Sequence, residues 1–257
     1  MVVNNHRHFY EDFHSHAPEM NKNEILKEQT RLKLLIKFMR DVRCDTVVVA
    51  GCGSGGDSTI SAKKLVAFDL SYSAVKLSRE VNKRNSYFVG DVSCVPLKNE
   101  VTDCVVCSEV VEHVVEPEKA IGEFQRVLKG NGTLILTVPN WMSWYGLARA
   151  LVELISRRLV TAAYQPIDNW YTQKSLRRLI EPYFRVSKWR GFWYYPPIGR
   201  RDTLLPVKIT NFFMRVFQPV NLLLGRVLPG FGHCLGFVCE KIHSESSFHS
   251  GISNEKK

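Results

Sequence analysis

The stretch "VVVAGCGSGGDSTI", residues 47–60, sets four glycines among residues 51–56, directly behind a run of β-branched side chains. A continuous apolar run bounded by glycine suits a strand buried on both faces of a parallel sheet. Gly51, Gly53 and Gly56 satisfy G-x-G-x-x-G, a spacing that lets a ligand lie against bare backbone. The next strand-like run, "KLVAFDL" (64–70), closes on Asp69, an acid placed to hold ribose hydroxyls. Taken alone, this pair of features suits a dinucleotide as well as another nucleoside cofactor.

Working outward, strands and crossovers alternate. A helix is expected over residues 22–42, where Ile25, Leu32, Leu35, Ile36 and Met39 recur at helical spacing. "SYSAVKLSREVNKR" (71–84) reads as a helix with a serine N-cap, and "SYFVGD" (86–91) and "TDCVVCSE" (102–109) read as strands. "EPEKAIGEFQRVLK" (116–129) reads as a helix with Pro117 in its first turn, stopped by Gly130 and Gly132, and "GTLILTVPN" (132–140) as a fifth strand. The alternation implies an α/β fold with a doubly wound, mainly parallel sheet, whose ligands bind at the carboxyl ends of the strands. At those ends stand Asp69, Asp91, Ser108 and Glu109, a ladder of polar groups able to grip a whole nucleoside.

With these residues in place, the chain resembles a class I S-adenosylmethionine-dependent methyltransferase, of the small-molecule and lipid-precursor group that includes the ubiquinone-pathway O-methyltransferases. The resemblance rests on "AGCGSGG", "FDLS", "VGDVSCVPL", "VVCSEVVEHVVEPEKAIGEFQRVLKGNG" and "LILTVPN", across residues 45–140, and on "YTQKSLRRLIEPYFRV" further on. It implies a Rossmann-like seven-stranded sheet and S-adenosyl-L-methionine as cofactor. It also implies that Gly51, Cys52, Gly53 and Gly55 lie against the methionine part, that Asp69 accepts from the ribose hydroxyls, and that Asp91 accepts from the adenine amino group. Leu70 and Val92 would flank the adenine, and Ser108 would close the site. Two departures stand out: Val49 occupies the place of the acid that usually precedes the loop, and the segment from Gly55 to Asp69 leaves room only for a stubby first helix.

For the chemistry, "EVVEH" puts Glu109, Glu112 and His113 at i, i+3 and i+4, one face of a helix if a helix forms there. Glu109 or His113 could serve as general base for a hydroxyl acceptor, the trio could hold a divalent cation, or the residues could simply pack. No metal is assigned. Tyr10, within "HRHFYEDFHSH" (6–16), is a further acceptor-site candidate if that segment roofs the cofactor; its histidines otherwise read as solvated.

Charge divides the chain. Residues 1–140 hold 18 basic and 18 acidic side chains, against 17 and 7 for residues 141–257, so the whole excess of +10 lies in the second part. There "WRGFWYYPPIGRR" (189–201) interleaves aromatics with arginines, and residues 204–232 are strongly apolar with Lys208, Arg215 and Arg226 between. This pattern favours a lipid-linked or amphiphilic acceptor and an anionic membrane surface over nucleic acid, because a nucleic-acid groove does not require so much apolar area. Seven scattered cysteines, mostly inside apolar runs, read as reduced thiols of a cytoplasmic protein, and Cys104 and Cys107 lack the second pair that a zinc site needs. The expected organisation is a single domain over 1–243: a cofactor-binding core at 22–140, a basic hydrophobic cap at 141–232, a last strand at 233–243, and a disordered tail at 244–257.

Overall fold

The computed structural model describes residues 2–16, 22–40, 42, 44–156, 166–194, 216, 219–220, 223–225 and 227–242. Strands β1 (Thr46–Ala50), β2 (Lys64–Asp69), β3 (Ser86–Val89), β4 (Thr102–Ser108), β5 (Leu128–Pro139), β6 (Phe184–Phe192) and β7 (Cys234–Lys241) form one sheet in the order β3-β2-β1-β4-β5-β7-β6. β1 to β5 pair in parallel, and β7 runs antiparallel to both of its neighbours. The strand order reverses between β1 and β4, which fixes the ligand crevice above the carboxyl ends of those two strands.

The valine run explains why β1 is central. Val47 and Val49 pack on one side with Leu34, Leu35 and Phe38 of helix α2 (Lys22–Met39) and Val75 of α3 (Tyr72–Val81). Val48 and Ala50 pack on the other with Ile121 and Phe124 of α4 (Pro117–Val127) and Leu176 and Ile180 of α6 (Gln173–Ile180). Truncating a ring such as Phe124 in this layer costs about 3–5 kcal/mol. α2 sits close to the sheet because Gly236 of β7 has no side chain; a Cβ there would lie 2.8 Å from Phe38 Cε2.

Several expectations hold and others shift. Ser71 caps α3, accepting from the Ala74 amide at 3.1 Å. The segment after the glycine loop makes only a 3-10 turn, Asp57–Thr59, as its shortness requires. α4, however, stops at Val127 rather than at the glycines, because buried Leu128 already pairs with Thr102 and opens β5. Within the expected cap range 141–232, α6 and β6 belong to the sheet and its covering layer. The tail 244–257 and most of 195–222 lie outside the described residues. Helix α1 (Val2–Ser15) is an element that the sequence reading left unpatterned, although His6, Tyr10 and His14 stand one helical repeat apart.

Candidate functional site

The glycine loop turns back on the sheet that precedes it. The Gly51 and Cys52 amides both donate to the Phe68 carbonyl at 2.9 Å, the Gly55 amide to the Cys52 carbonyl at 2.9 Å, and the Gly53 amide to Asp69 Oδ2 at 3.0 Å. A pyrophosphate is held by free backbone N–H groups. These four amides serve the protein itself, so the loop favours a cofactor without one. Gly51, Gly53 and Gly55 all have positive φ, at 78°, 47° and 97°. Their missing side chains have different reasons. A Cβ on Gly51 would lie 2.3 Å from Val110 Cγ2, and one on Gly55 would lie 2.8 Å from the Ser78 backbone. Only Gly53 faces open space, its nearest neighbour being His14 Cε1 at 3.9 Å. Of the three glycines expected against a ligand, Gly53 alone has an open face, whereas the bare Cα of Gly51 and of Gly55 also answers to packing. Cys52 lies beneath, with burial first and the Asp69 charge second pushing its thiol up to about 12.

Asp69 closes β2 one residue beyond Phe68, which pairs with Ala50 at the end of β1. Its Oδ2 accepts from Gly53 and its Oδ1 from the Ser71 amide, each at 3.0 Å. The carboxylate is thus fixed in orientation, and each oxygen retains a lone pair for ribose hydroxyls. Asp91 follows β3 and accepts from the Ser93 amide at 2.7 Å. Leu70 is half-buried beside Asp69, whereas Val92 sinks into the core at 8% exposure, supporting the site from below.

α1 roofs this ground. Glu11 fastens it to the start of α3: Oε2 accepts from Ser71 Oγ at 2.9 Å, and Oε1 accepts from Ser73 Oγ at 2.5 Å and the Ser73 amide at 3.2 Å. These bonds hold the Glu11 carboxyl below its ordinary range. His6, Tyr10 and His14 face inward. Burial lowers the pKa of both histidines, partly offset by Asp91 for His6 and by Asp69 and Glu11 for His14. The Tyr10 phenol is pushed well up by burial and by the charges of Glu112, Asp69 and Asp168. His6 Nε2 and Tyr10 Oη are buried without a hydrogen-bond partner, and so is Ser108 Oγ at the end of β4. Each such orphan costs about 1–3 kcal/mol. A polar ligand entering between Asp69, Asp91 and Ser108 would relieve that cost, which is why the residues present fit a nucleoside cofactor.

Beyond β4 the chain does not form the helical face expected for Glu109, Glu112 and His113. Glu109 takes a left-handed φ of 53°, and only Val111–His113 makes a 3-10 turn. Glu109 consequently parts from the other two, whereas Glu112 Oε1 stays 3.7 Å from His113 Nε2. Glu109 Oε1 accepts from the Cys234 thiol of β7 at 3.4 Å, Glu112 is 1% exposed, and His113 Nδ1 donates to the Ile167 carbonyl at 3.0 Å. That bond leaves His113 Nε2 as the basic nitrogen, and burial lowers its pKa, so the ring is neutral near pH 7. The Tyr10 ring lies 6.3 Å from it. Among the described residues no three His, Cys, Asp or Glu side chains converge as a metal site would require. Next to Cys234 in the chain, His233 meets Trp193 of the aromatic–arginine stretch at 5.5 Å and Tyr145, which the sequence did not single out, at 4.0 Å.

The comparisons agree with this geometry. The family profile described as "Methyltransferase domain" matches residues 48–136. A probable S-adenosylmethionine-dependent methyltransferase of Mycobacterium tuberculosis is 33% identical over 97 residues, 37% of this chain and 35% of that protein. The mitochondrial ubiquinone biosynthesis O-methyltransferase of Candida albicans is 25% identical over 218 residues, covering 77% of this chain and 61% of the relative. The chain thus spans about a third of the length of the first of these relatives and under two thirds of the second. A Thermotoga maritima structure described as a SAM-dependent methyltransferase, possible histamine N-methyltransferase, superposes with a TM-score of 0.62 at 15% identity, covering 91% of this chain and 99% of that one, which establishes the fold. From the loop, the acids that close β2 and follow β3, and these likenesses together, residues 48–136 match a methyltransferase domain, in a chain with the fold of S-adenosylmethionine-dependent methyltransferases.

Proposed function

We propose that this chain transfers a methyl group from S-adenosylmethionine to an oxygen of an amphiphilic small molecule. One observation carries the donor half: a carboxylate clamped by the Gly53 and Ser71 amides lies under a helix whose His6 and Tyr10 end in buried, unpartnered polar atoms. Bound S-adenosylmethionine supplies a methyl group already activated on a sulfonium, so the protein's share is alignment and exclusion of water. Asp69 holds the ribose, Asp91 the adenine amino group, and Gly53 admits the methionine part. α1 keeps water out. Tyr10 is poorly suited to act as a base, because its surroundings hold its proton on; its unpartnered Oη is left to donate to a ligand in the cleft. His113 is the side chain suited to take a proton from a hydroxyl, with Nε2 basic and its ring fixed by Ile167. Glu109, turned toward Cys234, lines the acceptor end beside Tyr145 and His233 rather than acting with His113. The name of the Candida albicans relative supports oxygen as the accepting atom.

Calorimetric titration with S-adenosylmethionine, and with NAD as control, tests the donor half. Selective binding that Asp69→Ala reduces by at least about a hundredfold is expected, since two charge-assisted hydrogen bonds are lost. Equal affinity in the variant would overturn the ribose assignment, and preference for NAD would overturn the cofactor.

A further inference from the structure

Helix α5 (Trp144–Ser156) is built the wrong way round for water. Arg149 and Glu153, its charged residues, turn inward with side chains 10% and 19% exposed. There Arg149 pairs with Glu153 at 3.0 Å and with Asp168 at 2.8 Å, and its guanidinium lies 3.9 Å from the centre of the Trp170 ring. Outward stand Trp144, Leu147, Leu151, Leu154 and Ile155, at 50%, 47%, 56%, 76% and 75% exposure. Their spacing of three and four residues makes one continuous stripe. A helix facing water has the opposite polarity, with its apolar stripe on the core.

A second stripe accompanies it. Val216, Val220, Leu223 and Val227, at 54%, 41%, 60% and 63% exposure, again follow three- and four-residue spacing. Leu228 then leads into the turn Pro229–Phe231, and the Phe231 ring lies 5.3 Å from Trp144. The two stripes are joined at the start of α5, just beyond the carboxyl end of β5, on the side where Tyr145 reaches His233.

Apolar area of this extent calls for a partner, and charge selects which. Residues 141–257 carry 17 basic against 7 acidic side chains, so a second copy of the chain would bring like charge to like. An anionic surface would neutralise it. We propose that α5 and the stripe from Val216 to Val227 form a face that seats this protein on an anionic lipid bilayer, with the apolar side chains entering the headgroup boundary. No helix among the described residues is long and apolar enough to cross a membrane, so the contact is peripheral. The inference does not depend on the methyl-transfer reading.

Sedimentation of the full chain with vesicles tests it, using phosphatidylcholine alone or mixed with phosphatidylglycerol, at low and high salt. Binding to the anionic vesicles that weakens with salt is expected. The double variant L151E/I155E, altered only at exposed positions, should bind at least about tenfold more weakly while keeping its melting temperature and its S-adenosylmethionine affinity. Equal vesicle binding by the variant, or no binding by the unaltered chain, would overturn the proposal. So would an unaltered chain that sediments without lipid as a dimer and a variant that sediments as a monomer, since a second copy would then cover the face. A failed cofactor titration, by contrast, would leave the vesicle result standing.

Discussion

Replacing Glu11 with alanine should release α1 without unfolding the sheet. The carboxylate accepts from Ser71 Oγ, Ser73 Oγ and the Ser73 amide at 2.9, 2.5 and 3.2 Å, all at the positive end of α3. A hydrogen bond to a charged group contributes about 1.5 kcal/mol or more, and a carboxylate at a helix N-terminus about 0.5 kcal/mol. Because Glu11 is only part-buried, water replaces much of this on opening, and about 2 kcal/mol remains as the cost of losing the latch. Ser71 keeps its capping bond to Ala74 in the variant, so α3 itself should persist. Opening of α1 should therefore become about 30-fold more frequent. Hydrogen exchange read by mass spectrometry reports this directly: amides of Val2–Ser15 should lose protection by that factor while those of Pro117–Val127 do not change. Loss of less than about threefold in α1 would mean that side chains other than Glu11 hold the roof, and the latch would be misassigned. A matching loss in α4 would mean that the substitution acts on the whole fold.

Acidity should loosen the same region. Burial lowers the pKa of His6, which faces Asp91; of His14, which faces Asp69 and Glu11; and of His113, which faces Asp168, Glu109 and His6. Below the unfolded value of 6.5 the unfolded chain binds protons that the folded chain refuses, so stability is full above that pH and falls as pH drops toward the lowered folded values. Glu11, whose carboxyl is lowered from 4.5, adds its own loss only at more acid pH, so melting temperatures between pH 7.5 and about 5.5 read the histidines. A triple variant with glutamine at these three positions should show a flattened profile over that range, and an unchanged slope would refute the assignment. The glycines separate packing from binding. Gly51→Ala places a Cβ 2.3 Å from Val110 at a positive φ and should cost about 3 kcal/mol of stability in thermal unfolding, whereas Gly53→Ala, with 3.9 Å of clearance, should cost about 1 kcal/mol and instead weaken S-adenosylmethionine binding. The reverse order of stabilities would show that the loop is positioned differently.

What could be read from residues alone divides along physical lines. The sheet was legible because each strand states its own burial: "VVVA" has no polar face, and a run without one has nowhere to go but between two layers. The candidate donor site could be traced for a related reason. Asp69, Asp91 and Ser108 each end or follow a strand, and in a parallel sheet the strand ends converge without help from side-chain packing. Glu109, Glu112 and His113 lacked such a guarantee. Their spacing predicted a shared face only if the backbone were helical, and the left-handed turn at Glu109 sends one carboxylate to Cys234 and leaves the next buried. α1 escaped notice because its inward stripe is made of His6, Tyr10 and His14, side chains that a search for aliphatic periodicity counts as polar, although their spacing is helical. α5 is legible as a helix, since its apolar positions recur at helical spacing, but periodicity gives only the width of a stripe and never the direction in which it points. That direction was decided by Arg149, whose bonds to Glu153 and Asp168 and packing on Trp170 pull the charged side inward and leave Leu154 and Ile155 facing out.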